Sequence, residues 1–294
     1  MLRRRRVVLT MNSDNTDTAM HLLEDLPPFL FFTGKGGVGN TSLSCAVAVA
    51  VAKRGLPVHL TTTDPAAHLT ETLAGSLPAL QVSRIDPHAE SASYSEHILA
   101  TKGKDLDAQG RAALEEDLRS PCTEEIAVFQ AFSRKIREAR TAFVVMDTAP
   151  SGHTLLLLDA TGSYHRDVTR HIVSGMNVTT PMMQLQDPER TKVIIVTLPE
   201  TTPVLEAARL QDDLQRAGIT PWAWVINNSL AAADTTAPLL RQRAAHELTE
   251  IRAVLDQHTN RIALVPLQTE EPIGIERLFE LTNAPTRHEP ALIH

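Results

Sequence analysis

The run Gly34-Lys35-Gly36-Gly37-Val38-Gly39-Asn40-Thr41 has the residue types and spacing of a phosphate-binding loop, G-x-x-x-x-G-K-[ST], with one departure. Asn40 stands where the pattern has lysine. Glycines let successive backbone N–H groups turn inward as an anion nest. A helix starting after Gly39 would point its partial positive charge at the same phosphate. On this reading the backbone from Gly36 to Asn40 cradles phosphate, and Thr41 stands where the Mg²⁺-binding hydroxyl belongs, with Ser42 beside it. Gly34, Gly36 and Gly39 also satisfy G-x-G-x-x-G, the dinucleotide fingerprint, and Asp64 could serve as its ribose-binding acid. Three features favour a nucleoside triphosphate. Thr41 supplies a metal-facing hydroxyl. Asp147-Thr148-Ala149-Pro150 places a second carboxylate at a strand end. Asn227-Asn228 ends a late strand, where a base could be read.

These residues need a sheet whose strand ends converge. Short apolar runs fit strands at Phe29–Thr33, Val58–Thr62, Phe143–Asp147, Val193–Leu198, Trp222–Asn227 and Ile262–Val265. Amphipathic stretches at Thr41–Arg54, Glu124–Arg140, Val204–Ala217 and Leu239–Asp256 alternate with them. Continuous apolar strands separated by helices read as an α/β fold, a mostly parallel sheet flanked by helices on both faces. Residues 1–26, with Arg3-Arg4-Arg5-Arg6 and a polar stretch from Asn12, read as a flexible N-terminal tail or linker. Residues 27–282 read as one ATPase-sized domain. Helical insertions are expected near 86–140 and 155–190 at one rim, and residues 283–294 form a C-terminal tail.

The chain has 294 residues, 43% hydrophobic and 21% charged, which is ordinary for a globular protein with its own core. Its 28 basic against 35 acidic residues argue against general nucleic-acid binding. No apolar run approaches the ~20 residues of a membrane span, and the segment after the arginines is too short for a signal-peptide core. Cys45 and Cys122 form no C-x-x-C pair, so cytosolic thiols are the default expectation. Cys45 falls in the apolar pattern of the loop helix and reads as core. Apart from His68 and His153, the histidines are scattered and read as solvated surface.

Lys35, directly after the first glycine, marks the deviant Walker A class. Together with Thr62-Thr63-Asp64-Pro65-Ala66-Ala67-His68, Asp147-Thr148-Ala149-Pro150-Ser151-Gly152-His153-Thr154, Leu118-Arg119-Ser120-Pro121-Cys122-Thr123-Glu124-Glu125 and Val265-Pro266, the chain resembles the ArsA family of anion-transporting ATPases over about residues 28–280. The resemblance is strongest to the C-terminal half of the tandem, arsenite-stimulated form.

The resemblance implies a cytoplasmic, energy-coupling ATPase subunit of an arsenite or antimonite efflux system, associated peripherally with a membrane arsenite pump. ATP/ADP and Mg would be its cofactors, and As(III) or Sb(III) its effector or substrate. It implies a second copy, or a tandem half of the same fold, as partner, with a metalloid-delivering chaperone as another. Lys35 would reach the partner's phosphates across a nucleotide-bridged dimer. Asp64 would orient the attacking water, Asp147 would hold Mg through water, and Asn227 and Pro266 would contact adenine. Asn40 loses the charge that grips the β- and γ-phosphates, so binding survives weakly while hydrolysis nearly stops.

As(III) and Sb(III) are thiophilic. Cys122 follows Ser120-Pro121, an N-cap and a proline at N1, so it falls in the first turn of a helix, where thiolate is favoured. By resemblance Cys122, His153 and Ser120 contact the metalloid. One thiol cannot build a trithiolate, so the site needs a second lobe. Two competing functions share the nucleotide motifs. A targeting ATPase for tail-anchored membrane proteins usually has a Met-rich helical insert, and in eukaryotes a C-x-x-C clasp. This chain offers Met176, Met182 and Met183 and no clasp. A partitioning ATPase would carry a basic amphipathic helix after Leu278, where none is apparent.

Overall fold

The computed structural model describes residues 16–17, 27–64, 66–148, 181–233 and 235–283. In chain order its elements are β1 (Thr16–Asp17), β2 (Phe29–Gly34), α1 (Asn40–Lys53), β3 (Val58–Thr62), α2 (Leu69–Leu73), β4 (Leu80–Arg84), α3 (Pro87–Thr101), α4 (Ala108–Asp117), α5 (Pro121–Glu138), β5 (Phe143–Asp147), α6 (Pro181–Gln186), β6 (Thr191–Thr197), α7 (Thr201–Arg216), β7 (Ala223–Ser229), α8 (Pro238–Gln257), β8 (Ile262–Pro266) and α9 (Ile275–Asn283).

The strands form one sheet in the order β1-β8-β7-β6-β2-β5-β3-β4. Every pairing is parallel. The α/β reading of the sequence is therefore the observed fold. β2 lies at the centre and pairs with both β5 and β6; β2 leads on to β3 on one side, whereas its neighbour β6 leads on to β7 on the other. Such a reversal opens a crevice at the carboxyl ends of the strands, the usual ligand position in open α/β sheets.

Alternation along the central strands sorts side chains to two cores. Leu30, Phe32, Val145, Ile194 and Val196 face α1 and α9. Phe29, Phe31, Val144, Met146, Val193 and Ile195 face α5, α7 and α8. On the second face Phe132 meets Phe29 and Phe31 edge-on, with ring centroids 6.3 Å apart in both pairs. α1 is alanine- and valine-rich and buried around most of its circumference, because it lies between the sheet and α9. Cys45 belongs to this core at 0% exposure, as expected from its pattern. Burial pushes its thiol well above the ordinary range, which suits a small inert hydrophobe.

α7 shows the expected stripe, burying Val204, Ala207, Leu210, Gln211 and Leu214. Gln211 accepts a hydrogen bond from the buried Trp224 indole at 2.8 Å and donates to the His258 carbonyl at 3.0 Å. At the rim, α3 and α4 bury no residue. Asp86 caps α3 by accepting from the N–H groups of His88 and Ala89, and Asp107 caps α4 by accepting from Gly110.

The structure corrects several details of the sequence reading. β4 is an additional strand; it is half-exposed at the sheet edge and lacks the apolar run that marked the others. Thr16–Asp17 pairs with β8 inside the segment read as a tail. His59 is no surface histidine: it is 4% exposed, with Nδ1 2.6 Å from Glu138 Oε2 and Nε2 2.7 Å from Ser83 Oγ. Of the insertion expected near 155–190, the part before Pro181 lies outside the described residues.

Candidate nucleotide site

The glycine-rich run is the turn between β2 and α1, at the carboxyl end of the sheet. A cavity of about 220 Å³ opens there, lined by Lys35, Gly36, Gly37, Gly39, Asn40, Thr41, Asp64 and Thr148. The turn needs glycine at defined points. Gly39 has φ +97°, and a Cβ there would stand 2.2 Å from Asn227 Nδ2. A Cβ on Gly34 would stand 2.5 Å from the Val196 carbonyl oxygen. Larger residues would force the loop off the sheet.

Thr41, in the first turn of α1, donates its hydroxyl to Asp147 Oδ2 at 2.9 Å. Thr62, at the end of β3, donates to the same oxygen at 3.2 Å and accepts from the Asp64 backbone N–H at 3.0 Å. One hydroxyl thus ties the two acidic strand ends together. Asp64 folds back on its own loop, its Oδ1 accepting from the Ala66 N–H at 2.8 Å. Thr148 donates to the Phe32 carbonyl at 2.9 Å, which fastens the start of the segment after β5 to the central strand.

Asp147 is 1% exposed. Burial raises its pKa to about 6; the hydroxyl bonds from Thr41 and Thr62 pull it down, and the nearby charge of Asp64 adds to the rise. Among the described residues, three buried side-chain oxygens lack a hydrogen-bond partner: Thr33 Oγ1, Asn40 Oδ1 and Asp147 Oδ1. Two of them belong to the loop helix and its facing carboxylate. An unsatisfied buried polar atom costs about 1–3 kcal/mol, so these oxygens suit a site completed by a ligand. A half-satisfied carboxylate beside a threonine hydroxyl and a second acid has the hard oxygen donors that Mg²⁺ takes.

Lys35 lies 3.2 Å from Glu206 Oε1 of α7, both side chains partly exposed. Asn227 is buried and donates Nδ2 to the Val38 carbonyl at 2.9 Å. It braces the loop against β7. Gly34, Val38, Ser42, Asn227, Asp147 and Pro266 are not among the cavity-lining residues, although Gly34, Asn227 and Asp147 approach residues that are. Thr62 and Thr148 stand within the motif runs, with no role assigned to either from sequence. Their positions flanking Asp64 and Asp147 were the available signal.

Ser120 stands at the N-cap position of α5 and Pro121 occupies its first turn, as expected. The Ser120 hydroxyl meets the Thr123 hydroxyl at 3.2 Å rather than capping a backbone N–H. The backbone of Cys122 lies in the first turn of α5. His153 lies outside the described residues. Among the described residues, no group of three or more His, Cys, Asp or Glu side chains is arranged to hold a metal, and no helix is long and apolar enough to cross a membrane.

Comparison with known proteins agrees with this geometry. The profile of the anion-transporting ATPase family matches residues 28–184 and 176–284. The chain is 67% identical over 252 residues to the arsenical pump-driving ATPase of Acidiphilium multivorum, and 65% identical over the same length to one from Escherichia coli. In both cases the match takes in 86% of this chain and 43% of the relative, so the chain spans less than half the length of these proteins. A more distant similarity, 26% over 304 residues, links it to the ATPase GET3 of Mycosarcoma maydis, covering 87% of this chain and 89% of that protein. With a phosphate loop on β2, a threonine–carboxylate pair at the ends of α1 and β5, and a family profile spanning both halves of the sheet, the chain belongs to the anion-transporting ATPase family.

Proposed function

We propose that this chain binds Mg·ATP and Mg·ADP and forms one lobe of a metalloid-stimulated ATPase that energises an arsenite or antimonite efflux pump. The observation that carries the nucleotide part is the loop cavity faced by the Thr41–Asp147 pair. Identity of 67% to a relative named an arsenical pump-driving ATPase supports the rest, and it exceeds the 26% identity to the ATPase GET3 relative.

The backbone N–H groups of the loop and the start of α1 supply fixed positive potential for the phosphates. Mg²⁺, when bound with nucleotide, neutralises charge that builds on the phosphoryl oxygens. Thr41 and Asp147 would hold it, Asp147 through water. Asp64 would orient the attacking water. Asn227 and Pro266 would border the adenine, Asn227 while bracing the loop. Asn40 brings no charge to the phosphates, which leaves binding weak and hydrolysis slow. Loss of one preorganised electrostatic group lowers rates by about 10²–10³.

Lys35 would act across an interface on the second lobe's phosphates, and its present partner, Glu206, would release it. Cys122 at the start of α5, with His153 and Ser120, would contribute to a metalloid site shared between lobes. A second copy would meet the first about a two-fold axis, with two nucleotides between them. Nucleotide favours the closed pair only by its differential affinity for that state.

The test is ATP turnover with and without antimonite in the Asn40→Lys protein, then with Cys122→Ser added. Stimulation that disappears with Cys122→Ser while basal nucleotide binding persists supports the reading. Unaltered stimulation removes Cys122 from the metalloid site, and no stimulation in either protein removes the metalloid function of this lobe.

A further inference from the structure

We propose that a monovalent cation, ammonium or potassium, binds beside Asn40 when nucleotide is present and takes the place of the missing lysine ammonium. This inference rests on the nucleotide reading of the loop. A lysine side chain carries two more bonds along its length than asparagine, so the Asn40 amide ends roughly 2.5 Å short of where an ammonium would stand. The shortened side chain leaves both a gap and a charge deficit in front of the phosphates. The usual occupant of that place is itself a cation, held against the loop's positive potential by phosphate oxygens.

The Asn40 amide oxygen fits such an ion. Asn40 is 9% exposed and lines the cavity, and its Oδ1 has no hydrogen-bond partner. Oδ1 lies 3.0 Å from the point where a Gly34 Cβ would stand, and the Val196 carbonyl oxygen lies 2.5 Å from the same point. Oδ1 therefore faces the crowded Gly34–Val196 side, where a carbonyl oxygen offers it no donor. An amide oxygen carries two lone pairs and no charge, a donor suited to a large monovalent ion that also touches phosphate. A half-turn of the amide brings Oδ1 to the cavity and its NH₂ towards the Val196 side. The other local cation is already engaged: Lys35 Nζ lies 3.2 Å from Glu206 Oε1. Lys35 does not fill its own loop in this structure.

No bond to the ion is covalent, and no proton moves; the ion is a bound counter-charge. Its affinity is linked to that of the nucleotide, so each strengthens the other by the same factor. The effect therefore appears in binding even where hydrolysis is slow.

The experiment is a fluorescence titration of an Mg·ATP analogue at constant ionic strength and constant chloride. Potassium, ammonium, sodium and tetramethylammonium, which is too large for the gap, serve as the cation in turn. Affinity is expected to be at least about threefold tighter in ammonium or potassium than in tetramethylammonium. Asn40→Lys should bind tightly in all four salts. Asn40→Ala, which removes the amide oxygen, should bind weakly in all four, with its thermal unfolding curve checking that the loop's fold is intact. Equal affinity in every salt, or the same salt preference in Asn40→Lys or Asn40→Ala, overturns the inference while leaving the nucleotide site standing. No binding in any salt by the unaltered chain or by Asn40→Lys overturns the nucleotide reading, and the cation site with it.

Discussion

Thr41 and Asp147 stand 106 residues apart in sequence and meet through a 2.9 Å hydrogen bond. The contact joins the first turn of α1 to the last residue of β5, and the second oxygen of Asp147 has no partner. On the proposed reading this hydroxyl turns to a Mg²⁺ ion that Asp147 holds through water. Thr41→Val removes the hydroxyl and keeps the shape. Nucleotide affinity in Mg²⁺ should fall about tenfold or more, in line with the loss of a charge-assisted contact. Affinity in EDTA should change little. Isothermal calorimetry in the two buffers measures both, and equal losses in both would mean that Thr41 supports the loop and not the metal.

On the proposed reading Asn40→Lys supplies the transition-state charge that the loop lacks. ATP hydrolysis should rise by at least about tenfold. A coupled-enzyme assay at saturating nucleotide reports it. An unchanged rate with tight binding would mean that Lys35 or a partner lobe already supplies that charge.

Gly39→Ala tests the loop's dependence on backbone shape. Its φ of +97° and the 2.2 Å approach of Asn227 Nδ2 leave no room for a methyl group without moving the brace to Val38. Destabilisation of about 1–3 kcal/mol is expected from the strained backbone alone, together with loss of nucleotide binding. Urea unfolding and calorimetry on the same protein check both. A neutral result would show that the loop reforms around alanine.

His59 sets a stability change with pH that is separate from the nucleotide site. Burial, then the charge of Lys135, holds its pKa below the usual 6.5, against the opposing bond to Glu138. The unfolded chain therefore binds more protons than the folded one as pH falls below 6.5, and this contribution to stability is lost on that descent. Glu138, held below its usual 4.5 by its bonds to Lys135 and His59 despite burial, loses its own contribution only below that value. His59→Gln should lose less stability between pH 7 and pH 5 than the unaltered chain, measured by urea unfolding at each pH. Parallel losses would show that His59 does not report in this window.

Much of the site was legible because phosphate chemistry dictates both residue type and spacing. Glycines must line the turn, a hydroxyl must open the helix, and an acid must end a neighbouring strand; Gly39, Thr41 and Asp147 satisfy those demands within a few residues. The central strands were legible because burial on both faces demands unbroken apolar runs, as in Phe29–Gly34 and Thr191–Thr197. β4 was not, since Leu80–Arg84 has one face at an edge and its sequence is mostly polar. His59 was hidden because its partners, Ser83 and Glu138, come from elements distant in sequence. Strand position offers Asn227 to the base but does not show that its side chain also braces Val38, which only the folded loop reveals.

Calorimetric titration of Mg·ADP onto this chain tests the central claim most directly. One site per chain is expected, with affinity that falls about tenfold or more in Thr41→Val and disappears in Gly39→Ala. No heat of binding at millimolar nucleotide, from the unaltered chain and from Asn40→Lys alike, would contradict a nucleotide site between β2 and α1.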